Sequence, residues 1–376
     1  MSSMPTLHQI ERSLLPPSIL IPDTVGHTRD VFALRINPHH DEAEAGSLAW
    51  FDNYGLHAGP QREEFLNARY CLLASYCYPD ADLEHLRPVM DFIIWLVAYD
   101  DMADEGEFCD SIEARMRENG NPAALCRFVE GAEGYMQAAL QDTMNRATGK
   151  VLTIDEYIQL RAESSGVKWA YAALEYAHGI ELPNKVHEDP IVSELALAGN
   201  QILTWSNDIY SFSLEQAKGY THNILFVIMW NKQVDLQGAV DFVEGMILKR
   251  IKEYIDAKAL LPSFGPEIDH QVAKYIQGIE YCIQANISWS LMSPRYFGAD
   301  FEKVKETRIV NLMAPIISTN KRSTGVEGVE SMESIAPAIA VAEGNVVWLN
   351  SRCAARQRRH VIVWSSTFET FHPYPI

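Results

Sequence analysis

Helical periodicity is the feature that most constrains this chain, and it runs from about residue 41 to residue 312. Within that range apolar side chains recur every three to four positions, the spacing of one buried face of a helix. The pattern breaks at turn-forming sequences such as Tyr78-Pro79-Asp80 and Pro183-Asn184. No alternating pattern typical of a β-strand is evident before residue 344. The sequence therefore predicts an all-α body.

Nine segments show this periodicity and are predicted to be helices or parts of helices. They are Glu64–Tyr78, Leu83–Tyr99, Ser111–Asn119, Pro122–Met144, Thr153–Tyr176, Pro190–Gly219, Asn223–Trp230, Leu236–Ala259 and Pro266–Ser290. Two stretches, Phe92–Tyr99 and Ile224–Trp230, are apolar on nearly all sides. Helices of that kind lie inside a bundle and not on its surface. We therefore expect both to be buried.

The composition and helical periodicity of the sequence predict three parts. Residues 1–40 contain several prolines and are expected to form an irregular arm lying over the body. Residues 41–317 form the helical domain. Residues 318–376 lose the helical pattern, and a segment of that length is marginal for an independent core. We expect it to be a poorly ordered extension.

Charge and composition exclude several classes of function. The net charge of −19 argues against nucleic acid or an anionic membrane surface as a partner. The longest apolar runs fall far short of the roughly 20 residues that a membrane span needs, and the first residues do not resemble a signal peptide. The six cysteines show no metal-binding spacing. We expect reduced thiols in a cytoplasmic protein.

The first candidate site is an acidic patch that follows the apolar run at residues 92–99. It begins Asp100-Asp101-Met102-Ala103-Asp104-Glu105. On a helix, Asp100 and Asp104 are one turn apart and share a face. Carboxylate oxygens are the ligands that Mg²⁺ prefers, so this pair is a candidate metal site. The alternative is a solvated helix end.

The second candidate site lies about a hundred residues further along the chain. Asn207, Ser211 and Glu215 are spaced at i, i+4 and i+8, so their directions drift by only about 80° around a helix. Amide, hydroxyl and carboxylate oxygens suit the same hard cation. Ordinary surface polarity on an amphipathic helix is the alternative. Two such faces across a cavity would hold several divalent ions, as a diphosphate requires.

These motifs and their order resemble those of the fungal, basidiomycete-type, class I sesquiterpene synthases over roughly residues 20–315. Asp100-Asp101-x-x-Asp104 is similar to the aspartate-rich motif of that family, and Asn207-Asp208-x-x-Ser211-x-x-x-Glu215 is similar to its Asn/Ser/Glu triad. Arg161 stands at the separation from the triad that the family uses for its pyrophosphate-sensing arginine. Arg295-Tyr296 resembles the C-terminal Arg-Tyr pair.

The resemblance implies a fold and a set of ligands. The fold would be the class I terpenoid synthase fold, a single α-helical bundle around a deep active-site cavity. Asp100 would bridge two Mg²⁺ ions with Asp104 beside it, and the triad would hold a third ion. Arg161, Arg295 and Tyr296 would donate to the diphosphate of the substrate.

Further roles follow from the same resemblance. Ser164 would act as a linker, and Ser165-Gly166 as an effector that helps to trigger ionisation; a simple kink is the alternative. Trp289 would be a pocket aromatic that stabilises carbocations. The lysine that often precedes the triad glutamate is Leu214 here, so Lys218, one turn further on, is a candidate substitute.

The implied activity is a sesquiterpene cyclase that ionises (2E,6E)-farnesyl diphosphate with a cluster of three Mg²⁺ ions and cyclises the carbocation. Two alternatives remain open: a chain-elongating prenyltransferase and a catalytically inactive synthase-like protein. The protein is expected to act as a monomer or a weak homodimer. It is not expected to insert stably into a membrane or to bind nucleic acid.

Overall fold

A computed structural model describes residues 15–53, 55, 57–98 and 106–316, and for residues 98 and 106–111 it describes the backbone alone. These residues belong to one compact unit. Its helices are α1 (Thr24–Thr28), α2 (His40–Asn53), α3 (Pro60–Asn67), α4 (Tyr70–Cys77), α5 (Leu83–Ala98), α6 (Gly106–Asn119), α7 (Pro122–Thr148), α8 (Ile154–Ser164), α9 (Val167–Ala177), α10 (Asn184–His187), α11 (Pro190–Lys218), α12 (Ile224–Lys232), α13 (Leu236–Lys258), α14 (Pro266–Met292) and α15 (Phe301–Thr307), with a short 3₁₀ turn at Gly298–Asp300. The prediction of an all-α body is confirmed.

The long helices begin where the sequence supplies capping side chains. Thr153 and Glu156 form a reciprocal capping box at the start of α8. Asn121 and Asp189 cap α7 and α11, and each is followed by a proline at the first helical position. These local signals explain why the predicted starts of α7, α8 and α11 lie within one residue of the observed ones.

Helix α11 is the centre of the bundle. It packs against α8, α9, α12, α13 and α14. The apolar segments of α5 and α12 are also buried, with Phe92 and Ile94 of α5 and Leu225 and Ile228 of α12 all at 0% exposure. The prediction that these two helices lie inside the bundle is confirmed. Among the described helices, none is long and apolar enough to cross a bilayer.

Two predicted helical ranges, Glu64–Tyr78 and Thr153–Tyr176, each contain two helices. In the first, α3 ends at Asn67 and α4 begins at Tyr70, a break that the sequence pattern does not indicate. Arg69, between them, adopts a left-handed conformation with φ of 55°. The carbonyls of Ala68 and Arg69 accept hydrogen bonds from the Trp289 indole. This tertiary contact satisfies the carbonyls at the break, and local periodicity could not indicate it.

The helix α2 was not predicted, and neither were the short α1, α10 and α15. The buried residues of α2 are Ala43, Ser47 and Phe51. Their spacing is helical, but two of the three side chains are small or polar. The apolar period is therefore weak, although the residues share a buried face.

Two short antiparallel strands were also not predicted. Strand β1 (Ser18–Leu20) pairs with β2 (Ile309–Asn311), and Ile19 lies opposite Val310. Both of those side chains are buried. Three-residue strands have too little alternation to be recognised in a sequence. The pairing fixes the chain before α1 to the chain after α15.

The expectation of reduced cysteines is only partly correct. Cys71, Cys77 and Cys282 are buried free thiols, but Cys126 is disulfide-bonded. A disulfide joins cysteines that the fold brings together, and their spacing along the chain gives no sign of such a pair.

Candidate active site

Three predicted metal ligands share one face of α11. Asn207, Ser211 and Glu215 follow one another at one-turn intervals within a helix that runs unbroken from Pro190 to Lys218. Ser211 is buried, whereas Asn207 and Glu215 are half-buried. The predicted helix is present, so the three oxygen-bearing side chains line one surface. Their role as metal ligands stays a prediction.

Arg161, on α8, reaches this surface and pairs with Asp208. Its Nε donates to Oδ1 of Asp208 at 3.0 Å, and its Nη2 lies 2.8 Å from the same oxygen. Nη2 also donates to Oδ1 of Asn207 at 3.0 Å. Burial alone would lower the pKa of Arg161, but the attraction of the Asp208 carboxylate outweighs it and leaves the pKa raised. Arg161 therefore remains a cation beside the face of α11 that carries Asn207, Ser211 and Glu215.

Asp208 is the acceptor around which this cluster is built. It is 1% exposed, and its Oδ2 accepts hydrogen bonds from the Tyr157 hydroxyl at 2.6 Å and from the Ile224 amide at 3.2 Å. Burial, and next the negative charge of Asp208, raise the pKa of Tyr157 well above its ordinary value. The phenol therefore stays protonated and donates. Sequence reasoning did not assign a role to either residue, although Tyr157 stands one turn before Arg161.

Tyr296 contacts the other end of the Asn207 carboxamide. Asn207 Nδ2 donates to the Tyr296 hydroxyl oxygen at 2.8 Å. Burial is the main reason that the pKa of Tyr296 is raised, with Arg295 and the Asn207 hydrogen bond acting in the opposite direction. Arg161 and Tyr296, both predicted to donate to diphosphate, therefore meet at one side chain of the predicted metal triad.

Glu215 is held by a residue that the sequence analysis did not identify. Asn223, the N-cap of α12, donates from Nδ2 to Glu215 Oε2 at 3.0 Å and to the Asp208 carbonyl at 2.7 Å. Burial and the nearby Asp208 raise the pKa of Glu215, and Asn223, Arg161 and the neighbouring Ser211 oppose that shift. Ser211 Oγ itself is buried and makes no hydrogen bond of ordinary geometry within the described residues.

The predicted aromatic and the second predicted arginine lie beside this cluster. The Trp289 ring is 5.8 Å from that of Tyr296 and 5.7 Å from that of Tyr70. The guanidinium carbon of Arg295 lies 5.8 Å from the centre of the Tyr70 ring. Trp289 is only 2% exposed, and its indole nitrogen is engaged by the α3–α4 break. Trp289 therefore has a structural role at this break, and its role as a pocket aromatic stays a prediction.

The break between α8 and α9 falls at Ser165 and Gly166, where the sequence indicated it. Gly166 has a φ of 72°, and a Cβ there would come within 2.8 Å of Leu96 on α5, so the position requires glycine. On the other side of the break, Asn200 of α11 donates to the carbonyl of Ala162 at 3.0 Å. The kink therefore touches both the triad helix and the helix that leads to the first acidic patch.

The remaining predicted residues are not brought into the cluster by any described contact. Lys218 is exposed on the last turn of α11. Asp100 and Asp104 lie outside the described residues, between the end of α5 at Ala98 and the start of α6 at Gly106. Their predicted role is therefore neither supported nor contradicted by the geometry.

Comparison with solved structures defines the class of fold. The chain superposes on the SVS_A2 protein from ancestral sequence reconstruction with a TM-score of 0.62 at 23% identity, covering 74% of this chain and 90% of that one. It superposes on hedycaryol synthase in complex with nerolidol with a TM-score of 0.63 at 22% identity, covering 72% of this chain and 99% of that one. The fold is that of the class I terpene synthases.

Comparison with known sequences defines the family. A family model described as "Terpene synthase family 2, C-terminal metal binding" matches residues 106–253. Sesquiterpene synthase Agr1 of Cyclocybe aegerita is 35% identical over 78% of this chain and 93% of its own length. Sesquiterpene synthase 1 of Postia placenta is 33% identical over 79% and 96%, and alpha-muurolene synthase of Coprinopsis cinerea is 31% identical over 79% and 78%. The chain belongs to the fungal sesquiterpene synthases.

Proposed function

We propose that this protein is a magnesium-dependent sesquiterpene cyclase that converts (2E,6E)-farnesyl diphosphate into a cyclic sesquiterpene and diphosphate. The observation that carries the proposal is the hydrogen-bonded cluster of Arg161, Asn207 and Tyr296. It joins a half-buried cation and a phenolic donor to a helix face of oxygen-bearing side chains. This combination suits a substrate that has an anionic leaving group and needs metal ions to bind.

The residues on α11 fit a divalent cation. Ser211 supplies a buried oxygen without an ordinary hydrogen bond, and the raised pKa of Glu215 reflects burial beside a second carboxylate, Asp208. A bound cation would relieve both conditions. Mg²⁺ ions, when bound, neutralise the diphosphate and make it a competent leaving group. We propose three ions, held by Asn207, Ser211 and Glu215 and by the acidic patch at Asp100 and Asp104.

The cationic and phenolic side chains would orient the diphosphate. With 50 acidic and 31 basic residues, the chain has a negative net charge that opposes the binding of an anionic substrate, so specific cationic side chains are needed at the site. Arg161 and Arg295 can each form bidentate hydrogen bonds with phosphate oxygens, and Tyr296 can add an O–H donor. Lys218 is the further candidate contact. The C–O bond of the substrate would then break, with its electron pair leaving on the diphosphate.

The aromatic side chains would protect the carbocation that remains. Trp289 and Tyr70 are almost fully buried; the Trp289 ring lies beside the rings of both Tyr70 and Tyr296. Aromatic faces stabilise a desolvated cation by about 2 kcal/mol or more, and the apolar surroundings exclude water that would quench it. Loss of a proton to the released diphosphate would end the reaction. The Ser165-Gly166 kink is proposed as the effector that couples Arg161 to ionisation.

We propose a cytoplasmic protein that acts as a monomer or weak homodimer. Its partner is a prenyl diphosphate and not a nucleic acid or a membrane.

The test is incubation of the purified protein with farnesyl diphosphate and Mg²⁺, followed by gas chromatography of the extracted products. We expect a cyclic sesquiterpene with Mg²⁺ and none with a chelator. Ser211→Ala should reduce the yield about 100-fold, since a metal clamp contributes several kcal/mol. Ser193→Ala, an exposed serine on the same helix, should not. Consumption of isopentenyl diphosphate would instead indicate a prenyltransferase, and absence of any product beside an active reference cyclase would falsify the proposal.

A further inference from the structure

Residues 309–316, which we call the strap, run along the last two turns of α11. Met313 N donates to Ser213 Oγ at 3.0 Å, and Gln216 Nε2 donates to the Met313 carbonyl at 2.7 Å. Ile316 N donates to the Ala217 carbonyl at 2.8 Å. Ser213 is 2% exposed and Gln216 is 6% exposed. The strap is therefore joined to α11 by buried side chains and by backbone.

The strap contacts lie on the side of α11 opposite the metal-binding face. At about 100° per residue, Ser213, Gln216 and Ala217 point about 120–160° away from the direction of Ser211. The two sets of residues interleave along the same turns of helix. A displacement of the strap would therefore rotate or fray the turn that carries Glu215.

The strap also completes the end of α11. The last four carbonyls of a helix have no partner within the helix. Here Tyr220 N donates to the Glu215 carbonyl and Gly219 N to the Gln216 carbonyl, the pattern of a left-handed C-cap. Ile316 N supplies the partner for the Ala217 carbonyl. The final turn of the triad helix is thus fixed in part by a segment distant in sequence.

The other end of the strap is anchored to the bundle. Its first residues, Ile309–Asn311, are strand β2, which pairs with β1. The Leu20 backbone of β1 exchanges two hydrogen bonds with the Gln237 carboxamide on α13, at 2.9 and 3.0 Å. Leu312 N donates to the Pro17 carbonyl at 3.0 Å. The strap therefore connects α11 to α13 through the β1–β2 pair.

We propose that the strap is a positioning device for the metal triad, and that Ser213, Gln216 and the Ile316 amide hold Glu215 and Ser211 in register for metal binding. This inference rests on the proposed function of the triad. It assigns a role in metal affinity to residues that do not touch metal or substrate. They would act by restricting the final turns of α11 to one position.

The experiment uses the full-length protein and two substitutions, each of which removes part of the attachment. Gln216→Met keeps the length of the side chain but removes its donors, and Ile316→Pro removes the amide that donates to Ala217. Ile316→Ala retains that amide and is the matched control, because Ile316 is 54% exposed. Binding of inorganic pyrophosphate in the presence of Mg²⁺ is measured by calorimetry, well below the unfolding temperature of every variant.

We expect Gln216→Met and Ile316→Pro to bind Mg²⁺–pyrophosphate about tenfold more weakly than the wild type, the effect of losing one or two buried hydrogen bonds, and Ile316→Ala to bind normally. A merely structural role would lower the unfolding temperature and leave this affinity unchanged, and that result would overturn the inference. Failure of the wild type to bind Mg²⁺–pyrophosphate would overturn the proposed function itself. The two failures are therefore distinguishable.

Discussion

The Nη2 atom of Arg161 lies 3.0 Å from Oδ1 of Asn207, so the predicted diphosphate sensor directly contacts a predicted metal ligand. A carboxamide oxygen has two lone pairs and can accept from an arginine while still facing a cation. The carboxamide nitrogen is fixed at the same time by the Tyr296 hydroxyl. Asn207 thereby links Arg161 and Tyr296, the two predicted diphosphate donors, to the triad. A substitution at any of these residues should alter the position of the others.

The first prediction concerns Asp208, which neutralises Arg161. Asp208→Asn preserves shape but removes a buried charge that faces the half-buried Arg161 guanidinium. Removing one partner of a buried ion pair destabilises a protein by about 3 kcal/mol or more, and we expect sesquiterpene formation to fall with it. Tyr157→Phe removes one hydrogen bond to the same carboxylate and should lower stability by only about 1 kcal/mol. Urea unfolding compares the two, and equal losses would contradict the importance of the Asp208 charge.

The second prediction separates the two roles of Trp289. Trp289→Phe keeps an aromatic ring beside Tyr296 but loses the hydrogen bonds to the Ala68 and Arg69 carbonyls, at 2.8 and 3.0 Å. We expect stability to fall by about 1–2 kcal/mol from those bonds, and the ratio of products to change. Binding of Mg²⁺–pyrophosphate should not change.

The matched control for Trp289 is Trp169→Phe. Trp169 is 1% exposed, and its indole nitrogen has no hydrogen-bond partner within the described residues. Both substitutions remove the same atoms from a buried position. A larger loss of stability in Trp289→Phe is therefore due to its hydrogen bonds. A loss at Trp289 no greater than that at Trp169 would argue against its role in holding the α3–α4 break.

The third prediction is an acid sensitivity that originates at His178. Burial lowers the pKa of His178 from 6.5 to about 4; the nearby Asp80 opposes this shift, and the positive charge of Lys274 adds a smaller effect in the same direction as burial. Below pH 6.5 this histidine is protonated in the unfolded chain, whereas in the folded protein it stays neutral until the pH falls to about 4. The free energy of unfolding should therefore fall between those values, by at most about 3 kcal/mol. His178→Asn should flatten this part of the pH profile, and an unchanged slope would show that other groups cause it.

The fourth prediction concerns the C-terminal residues 319–376. The described contacts between α11 and the C-terminal part of the chain extend as far as Ile316. Deletion of 319–376 leaves all of those contacts available, so we expect unfolding temperature and product pattern to change little. If the deletion greatly reduced activity while the fold remained unchanged, residues 319–376 would have to contribute to catalysis.

Much of the fold was predictable because its signals are local. The capping box at Thr153 and the prolines that open α7 and α11 mark helix starts within a few residues of sequence. The one-turn spacing of Asn207, Ser211 and Glu215 is likewise a local property, and it needs only a helix to place three oxygens on one face. The kink at Gly166 was predictable because Ser-Ser-Gly weakens a helix wherever it occurs.

The features that were missed depend on distant parts of the chain. Asp208 lies only about 60° around α11 from Ser211, but its importance emerges only when α8 and α12 bring Tyr157 and the Ile224 amide to it. The division of α3 from α4 depends on Trp289, which lies more than two hundred residues later. The β1–β2 ribbon joins the two ends of the described chain. Sequence periodicity reports which face of an element is buried, but not what lies against it.

The most direct test of the central claim is calorimetric titration of inorganic pyrophosphate into the wild type, Asn207→Ala and Ser193→Ala, with and without Mg²⁺. We predict binding that requires Mg²⁺ in the wild type and in Ser193→Ala, and binding about 100-fold weaker in Asn207→Ala, which loses a ligand and the contact that couples Arg161 to Tyr296. Equal affinity in Asn207→Ala, or binding that is independent of Mg²⁺, would contradict the account.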